Sequence, residues 1–143
     1  MINVSFYILP SESLQERYVF ACKLIEKAYR TDCFCYVLTE SVDQSRIIDN
    51  LLWTFRAGSF VPHQIYTGEL PDFEKIVMIG TLNPPENWQK VVFNLSNQFL
   101  ELGANTERIL EILDNSESSK EAGRQRYRHY QKSGMAITTH KDW

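Results

Sequence analysis

Val4-Ser5-Phe6-Tyr7-Ile8-Leu9-Pro10-Ser11-Glu12-Ser13-Leu14-Gln15-Glu16 carries the reading of the fold. Val4 to Leu9 is a short apolar run stopped by Pro10, the pattern of a strand. Ser13 to Glu16 fits a capping box, in which hydroxyl and carboxylate each satisfy an orphan N–H at a helix start. Behind it Leu14, Tyr18, Ala21, Cys22, Ile25, Ala28 and Tyr29 recur at helical spacing up to Thr31. A strand feeding a helix is where a dinucleotide-binding fold places G-x-G-x-x-G. Leu9 to Ser13 has no glycine and carries Glu12, whose charge repels phosphate. No glycine sits in a Walker pattern either.

Working outward, Cys33 to Thr39 reads as a second strand, rich in aromatic and β-branched residues. From Asp43 a second helix carries Ile47, Ile48, Leu51, Leu52 and Phe55 as its inward face and ends near Ala57-Gly58. Strand, helix, strand, helix predicts an α/β sandwich with a largely parallel sheet. Phe60 to Tyr66 is extended, and Lys75 to Gly80 and Val91 to Leu95 are buried strands separated by the Pro84-Pro85 loop. Arg108 to Leu113 fits a strand and a helix equally well. Glu117 to Lys132 is a final helix stopped by Gly134, and the last nine residues form a short tail. With no internal repeat and no linker, residues 1–143 read as a single domain.

Of the 143 residues 43% are hydrophobic and 23% charged, enough for one core. No apolar run approaches the ~20 residues of a membrane span, and the N-terminus lacks the basic start of a signal peptide. Cys22, Cys33 and Cys35 make an odd count without C-x-x-C; Cys33 and Cys35, two apart on one strand face, read as core filler. The histidines at 63, 129 and 140 fall in separate segments, with no metal-ligand spacing and no G-x-S-x-G elbow. The expectation is a soluble, cytosolic protein with no metal, cofactor or catalytic constellation.

Two features exceed that background. In Leu52-Trp53-Thr54-Phe55-Arg56-Ala57-Gly58-Ser59-Phe60-Val61-Pro62-His63, Trp53 lies about 100° from Leu52 and about 200° from Phe55 on the helical wheel. It either folds over the sheet edge or joins Phe60-Val61-Pro62 in an exposed apolar patch of the kind that marks partner surfaces. In the final helix Lys120, Arg124 and Arg128 form one stripe at i, i+4 and i+8, Tyr127 and Tyr130 share the neighbouring face, and Arg126 points elsewhere. A charge run is usually a solvated face. Mixed with Tyr, however, Arg can hold a carboxylate bidentately beside an aromatic ring. A chain of formal charge −3 with three cations in its stripe suits a short acidic peptide better than duplex DNA.

These landmarks, in order, resemble the chi subunit family of bacterial DNA polymerase III. The match runs through Val4 to Leu9, Leu52-Trp53, Ser59 to His63, Ile76-Val77-Met78-Ile79, Pro85, Val92 to Leu95, and Arg124-Gln125-Arg126-Tyr127-Arg128-His129-Tyr130 with Gly134. The resemblance implies a Rossmann-like α/β fold, a largely parallel central sheet flanked by helices without a nucleotide-binding glycine loop, and a non-catalytic adaptor without cofactor. It would pair with the psi subunit, and through it the clamp loader, and would bind the acidic C-terminal tail of single-stranded-DNA-binding protein. Carried over, the psi contact maps to Trp53, Phe60, Val61 and Pro62. The tail pocket maps to Lys120, Arg124, Tyr127 and Arg128, with Leu113 as an apolar wall. The family also implies a strand at Arg108 to Leu113, and DNA contacted only indirectly. Two rival readings are a direct single-stranded DNA binder stacking bases on Tyr127 and Tyr130, and a small enzyme with its site near Gly80 to Pro85.

Overall fold

A computed structural model describes residues 2–31, 35–58, 60–99 and 105–141. The elements are β1 (Asn3–Ile8), α1 (Leu14–Arg30), β2 (Cys35–Leu38), α2 (Val42–Thr54), β3 (His63–Ile65), β4 (Val77–Gly80), a 3₁₀ turn (Glu86–Trp88), β5 (Val91–Asn94), β6 (Arg108–Leu113), α3 (Glu117–Lys132) and β7 (Ala136–His140). The seven strands form one sheet in the order β3-β4-β2-β5-β6-β1-β7, and every pairing is parallel. This is the α/β architecture with a parallel sheet that the strand–helix alternation predicts, and the Rossmann-like fold that the resemblance implies. Residues 108–113 are strand.

All four residues of β2, of β4 and of β5 are buried, because both faces of the central sheet are covered. One face packs under α1 and α2, with Ala21, Cys22, Ile25, Ile48 and Leu52 against Cys35, Val37, Val77, Ile79, Phe93 and Ile112. The alternate residues, among them Val4, Phe6, Tyr36, Met78, Val92, Ile109 and Leu113, face α3 through Tyr130 and the 3₁₀ turn through Trp88. Cys35 does share its face with Val37 as core filler; Cys33 lies outside the described residues.

Several local expectations are corrected. The capping box is half made: the Ser13 hydroxyl accepts from Glu16 N–H, but the Ser13 N–H donates to the Ser11 hydroxyl (2.9 Å) rather than to Glu16. Helix α2 ends at Thr54, before Ala57-Gly58, and Gly58 takes a positive φ of 79° as the chain reverses. Ile47 is 42% exposed, since Ile48 and Leu52 already fill the core side of that helix. The tail is not irregular: Ala136–His140 adds to the sheet beside β1.

Adjacent strands β1 and β6 send their helices to opposite faces, and the crevice outside such strand ends is where α/β folds bind ligands. Here the two loops are tied by the Asn115 N–H donating to Ser11 O (2.8 Å). Arg17 fills the space beneath, its Nε donating to Ile112 O (2.8 Å) and its Nη2 to Leu95 O (3.1 Å). Glu12 and Asp114 line what remains, so carboxylates stand where phosphates would bind.

Candidate partner-binding surfaces

The end of α2 and the approach to β3 build the first surface. Trp53 is 55% exposed and Phe60 64%, with ring centroids 5.6 Å apart. Behind them His63 packs against the indole at 4.7 Å. The imidazole is itself held by Val61 O at Nδ1 (2.6 Å) and Asp49 O at Nε2 (2.9 Å). Arg56 reaches Glu26 on α1 at 2.9 Å, tying down the chain between the two aromatics. Trp53 therefore does not fold into the interior; it and Phe60 form one exposed aromatic pair supported from beneath. Pro62 is half-buried at its border. Val61, grouped with them from the sequence, is 1% exposed and belongs to the core under α1 and α2, so its side chain is not on this surface.

The second surface is a groove of about 710 Å³ between α3 and the C-terminal ends of β6, β1 and β7. Lys120, Arg124, Tyr127 and Arg128 line it together from the helix side, as their i, i+4 spacing requires. Leu113 lines it as well, from the end of β6. Gly123 brings the helix down onto it: a Cβ at position 123 would stand 2.4 Å from Leu113 Cδ1. The polar segment after Leu113 does not enter the groove. Asp114 is buried and accepts from the Ser116 N–H (2.9 Å) at the helix start, while Ser116, Ser118 and Ser119 line the separate crevice beside Arg17.

What holds α3 in place is polar and buried. Glu111, fully buried on β6, accepts from Arg126 Nε (3.1 Å to each oxygen), from the Tyr130 hydroxyl (2.6 Å) and from Asn94 Nδ2 (3.0 Å). Arg126 Nη2 lies 3.0 Å from Glu111 Oε1 as an ion pair but is not aligned for a hydrogen bond. Burial and the neighbouring Glu111 charge hold the Tyr130 hydroxyl far above the usual phenol range. Tyr127 and Tyr130 do share a face, both packing on Phe6 at 5.5 and 6.0 Å, but Tyr130 is 0% exposed and anchors the helix, whereas Tyr127 is 36% exposed. Only one of the two tyrosines proposed as base-stacking platforms is on the surface.

With Arg126 spent on Glu111, the helix's share of the groove's charge comes from the stripe. Lys120 is paired with Glu117 (3.1 Å) and Arg124 with Glu121 (3.0 Å), both at i, i+3 on an open helix surface where such pairs are weak and exchangeable. The floor is apolar: Phe6 and Ile8 of β1 with Leu113. Reading the sequence missed Phe6, Ile8, Gln131, Thr139 and Lys141 as lining residues. The signal was available only in part, as Ile137-Thr138-Thr139 is β-branched enough to be a strand. Among the described residues no three His, Cys, Asp or Glu side chains are grouped to hold a metal ion, and no helix is long and apolar enough to cross a membrane. Near Gly80 to Pro85, the Tyr36 hydroxyl donates to Leu82 O (2.6 Å) and pins the loop.

Comparison with known proteins gives this arrangement its context. The crystal structure of T4 UvsW superposes on 99% of this chain with a TM-score of 0.66 at 12% identity; the chain spans 41% of that protein, and the likeness is one of fold. The DNA polymerase III subunit chi of Pseudomonas aeruginosa is 30% identical over 141 residues, 99% of this chain and 97% of the relative. The Escherichia coli subunit chi is 24% identical over 97% of each chain, and the Haemophilus influenzae one 25%, over 96% of this chain and 95% of the relative. Residues 1–138 match the family model for the DNA polymerase III chi subunit, HolC. The chain belongs to the chi-subunit family of DNA polymerase III, accessory subunits of DNA replication.

Proposed function

We propose that the chain is a non-catalytic, cytoplasmic adaptor of the bacterial replisome. Through Trp53 and Phe60 it pairs with the psi subunit and so with the clamp loader. Through the groove under α3 it binds the acidic C-terminal tail of single-stranded-DNA-binding protein, touching DNA only indirectly. The observation that supports this best is the groove itself: three cations, Lys120, Arg124 and Arg128, border an apolar floor of Phe6, Ile8 and Leu113. That combination suits a peptide ending in an apolar residue and a free carboxylate, preceded by acidic residues. Arg124 holds the terminal carboxylate, Lys120 and Arg128 the upstream acids, and Tyr127 packs beside the terminal side chain.

Arg124→Ala, titrated with the tail peptide, tests the groove. The guanidinium is half exposed and must leave Glu121, so the loss expected is about 2 kcal/mol, the lower end for a charge pair desolvated on binding. Unchanged affinity removes the groove from tail binding. Trp53→Ala tests the other surface. It should weaken the psi heterodimer by about 2 kcal/mol or more, as for an aromatic hot spot, and leave tail binding intact. Loss of both activities in a folded variant would refute two separate surfaces.

A further inference from the structure

The strand side of the groove adds a cation that the helix stripe does not account for. Strands β1 and β7 run in parallel register from Asn3↔Ala136 to Tyr7↔His140, and continuing that register by one residue sets Lys141, just past the end of β7, beside Ile8. Ile8 is in turn opposite Leu113 of β6. Side chains alternate along a strand: Ile137 packs with the core under α3, so Thr139 and Lys141 face the same way, and both line the groove. Leu113, Ile8 and Lys141 therefore form one row across three strand ends, apolar at the helix side and cationic at the sheet edge. With strands about 4.8 Å apart, the Lys141 backbone stands about 10 Å from that of Leu113. That is about three residues of extended peptide at roughly 3.3 Å each.

We infer that Lys141 is a fourth cationic contact, which clamps an acidic peptide from the strand wall opposite α3. The terminal apolar side chain then sits over Leu113 and Ile8, and the peptide crosses the row so that an acid about three residues upstream meets Lys141. This rests on the groove binding an acidic peptide terminus, as proposed above. It adds a direction: across the groove from helix to sheet edge, not along the helix. Lys141 is exposed at the end of the edge strand, so its replacement leaves the core untouched.

The probe is a pair of synthetic peptides, three aspartates or three asparagines followed by two glycines and a terminal phenylalanine, titrated by calorimetry into the full chain in about 50 mM salt, where screening is modest. Lys141→Ala is expected to weaken the aspartate peptide about threefold and Lys141→Glu about tenfold, with no change for the asparagine peptide. Lys132→Ala, which removes an exposed helix charge that does not line the groove, is expected to leave both peptides unchanged. Equal losses from Lys132→Ala and Lys141→Ala would mean a general field, and equal losses for both peptides would mean a structural role; either overturns the clamp. So does unchanged binding in Lys141→Glu while Arg124→Ala weakens it, which leaves the groove reading standing. If the wild-type chain binds neither peptide, the groove reading itself fails.

Discussion

Glu111→Ala is the substitution for which the structure makes the largest claim. The carboxylate is fully buried and serves three donors on two elements: Arg126 and Tyr130 of α3 and Asn94 of β5. Without it, a guanidinium 1% exposed is left in the interior with no counter-charge. Breaking one side of such a pair costs about 3–5 kcal/mol, and the stranded Tyr130 hydroxyl and Asn94 amide add about 1 kcal/mol between them once water enters the space. A total of about 4–6 kcal/mol is a large part of the 5–15 kcal/mol that typically holds a domain together. Urea unfolding at neutral pH, followed by circular dichroism, measures it directly. The pair as a whole adds little net stability, because desolvation offsets most of its attraction. The double variant Glu111→Leu with Arg126→Met should therefore recover most of what Glu111→Ala loses. A loss below about 1 kcal/mol for Glu111→Ala, or a double variant no more stable than the single one, would refute this account of how α3 is seated.

Two further outcomes follow from particular contacts. Gly123→Val places a branched Cβ against Leu113, where even the first carbon would stand 2.4 Å from Cδ1. Overpacking of this kind should cost about 1–3 kcal/mol in thermal or urea unfolding, and peptide affinity should fall as the helix is lifted from the groove floor. Burial pushes the Cys22 thiol up to about 12, so at pH 8 it is protonated and should resist iodoacetamide until the chain unfolds, as read by peptide mapping. The sign for stability follows: the unfolded thiol ionises near pH 9 while the buried one stays protonated, so its contribution is complete below pH 9 and declines as pH rises towards 12. Rapid native alkylation at Cys22 would contradict its placement.

Where local pattern and burial agree, the sequence was legible. The run Val4 to Leu9 and the helix behind Ser13 emerge within one or two residues, since apolar period and cap chemistry act over one or two turns. Lys120, Arg124 and Arg128 share a groove because i, i+4 spacing alone puts them on one helix face. Arg126 and Tyr130 were less readable. The same helix that offers cations to a partner sends one of them inward, to a glutamate fifteen residues earlier in the chain, and no helical wheel contains β6. Val61 failed for a related reason: next to exposed Phe60 it reads as part of a greasy patch, but entry into β3 turns its side chain under α2.

By itself the sequence determined the alternation of elements, the absence of a phosphate-binding glycine turn, and the placing of Trp53 and the cationic stripe on separate helices. These are properties of neighbouring residues. The tertiary structure alone decided the order β3-β4-β2-β5-β6-β1-β7, and with it the groove. Its floor joins β1 and β6, residues more than one hundred positions apart, and its far wall is β7, added beside β1 at the sheet edge. Parallel strands meet only through crossovers, so their neighbours are set by long-range packing that no local pattern encodes.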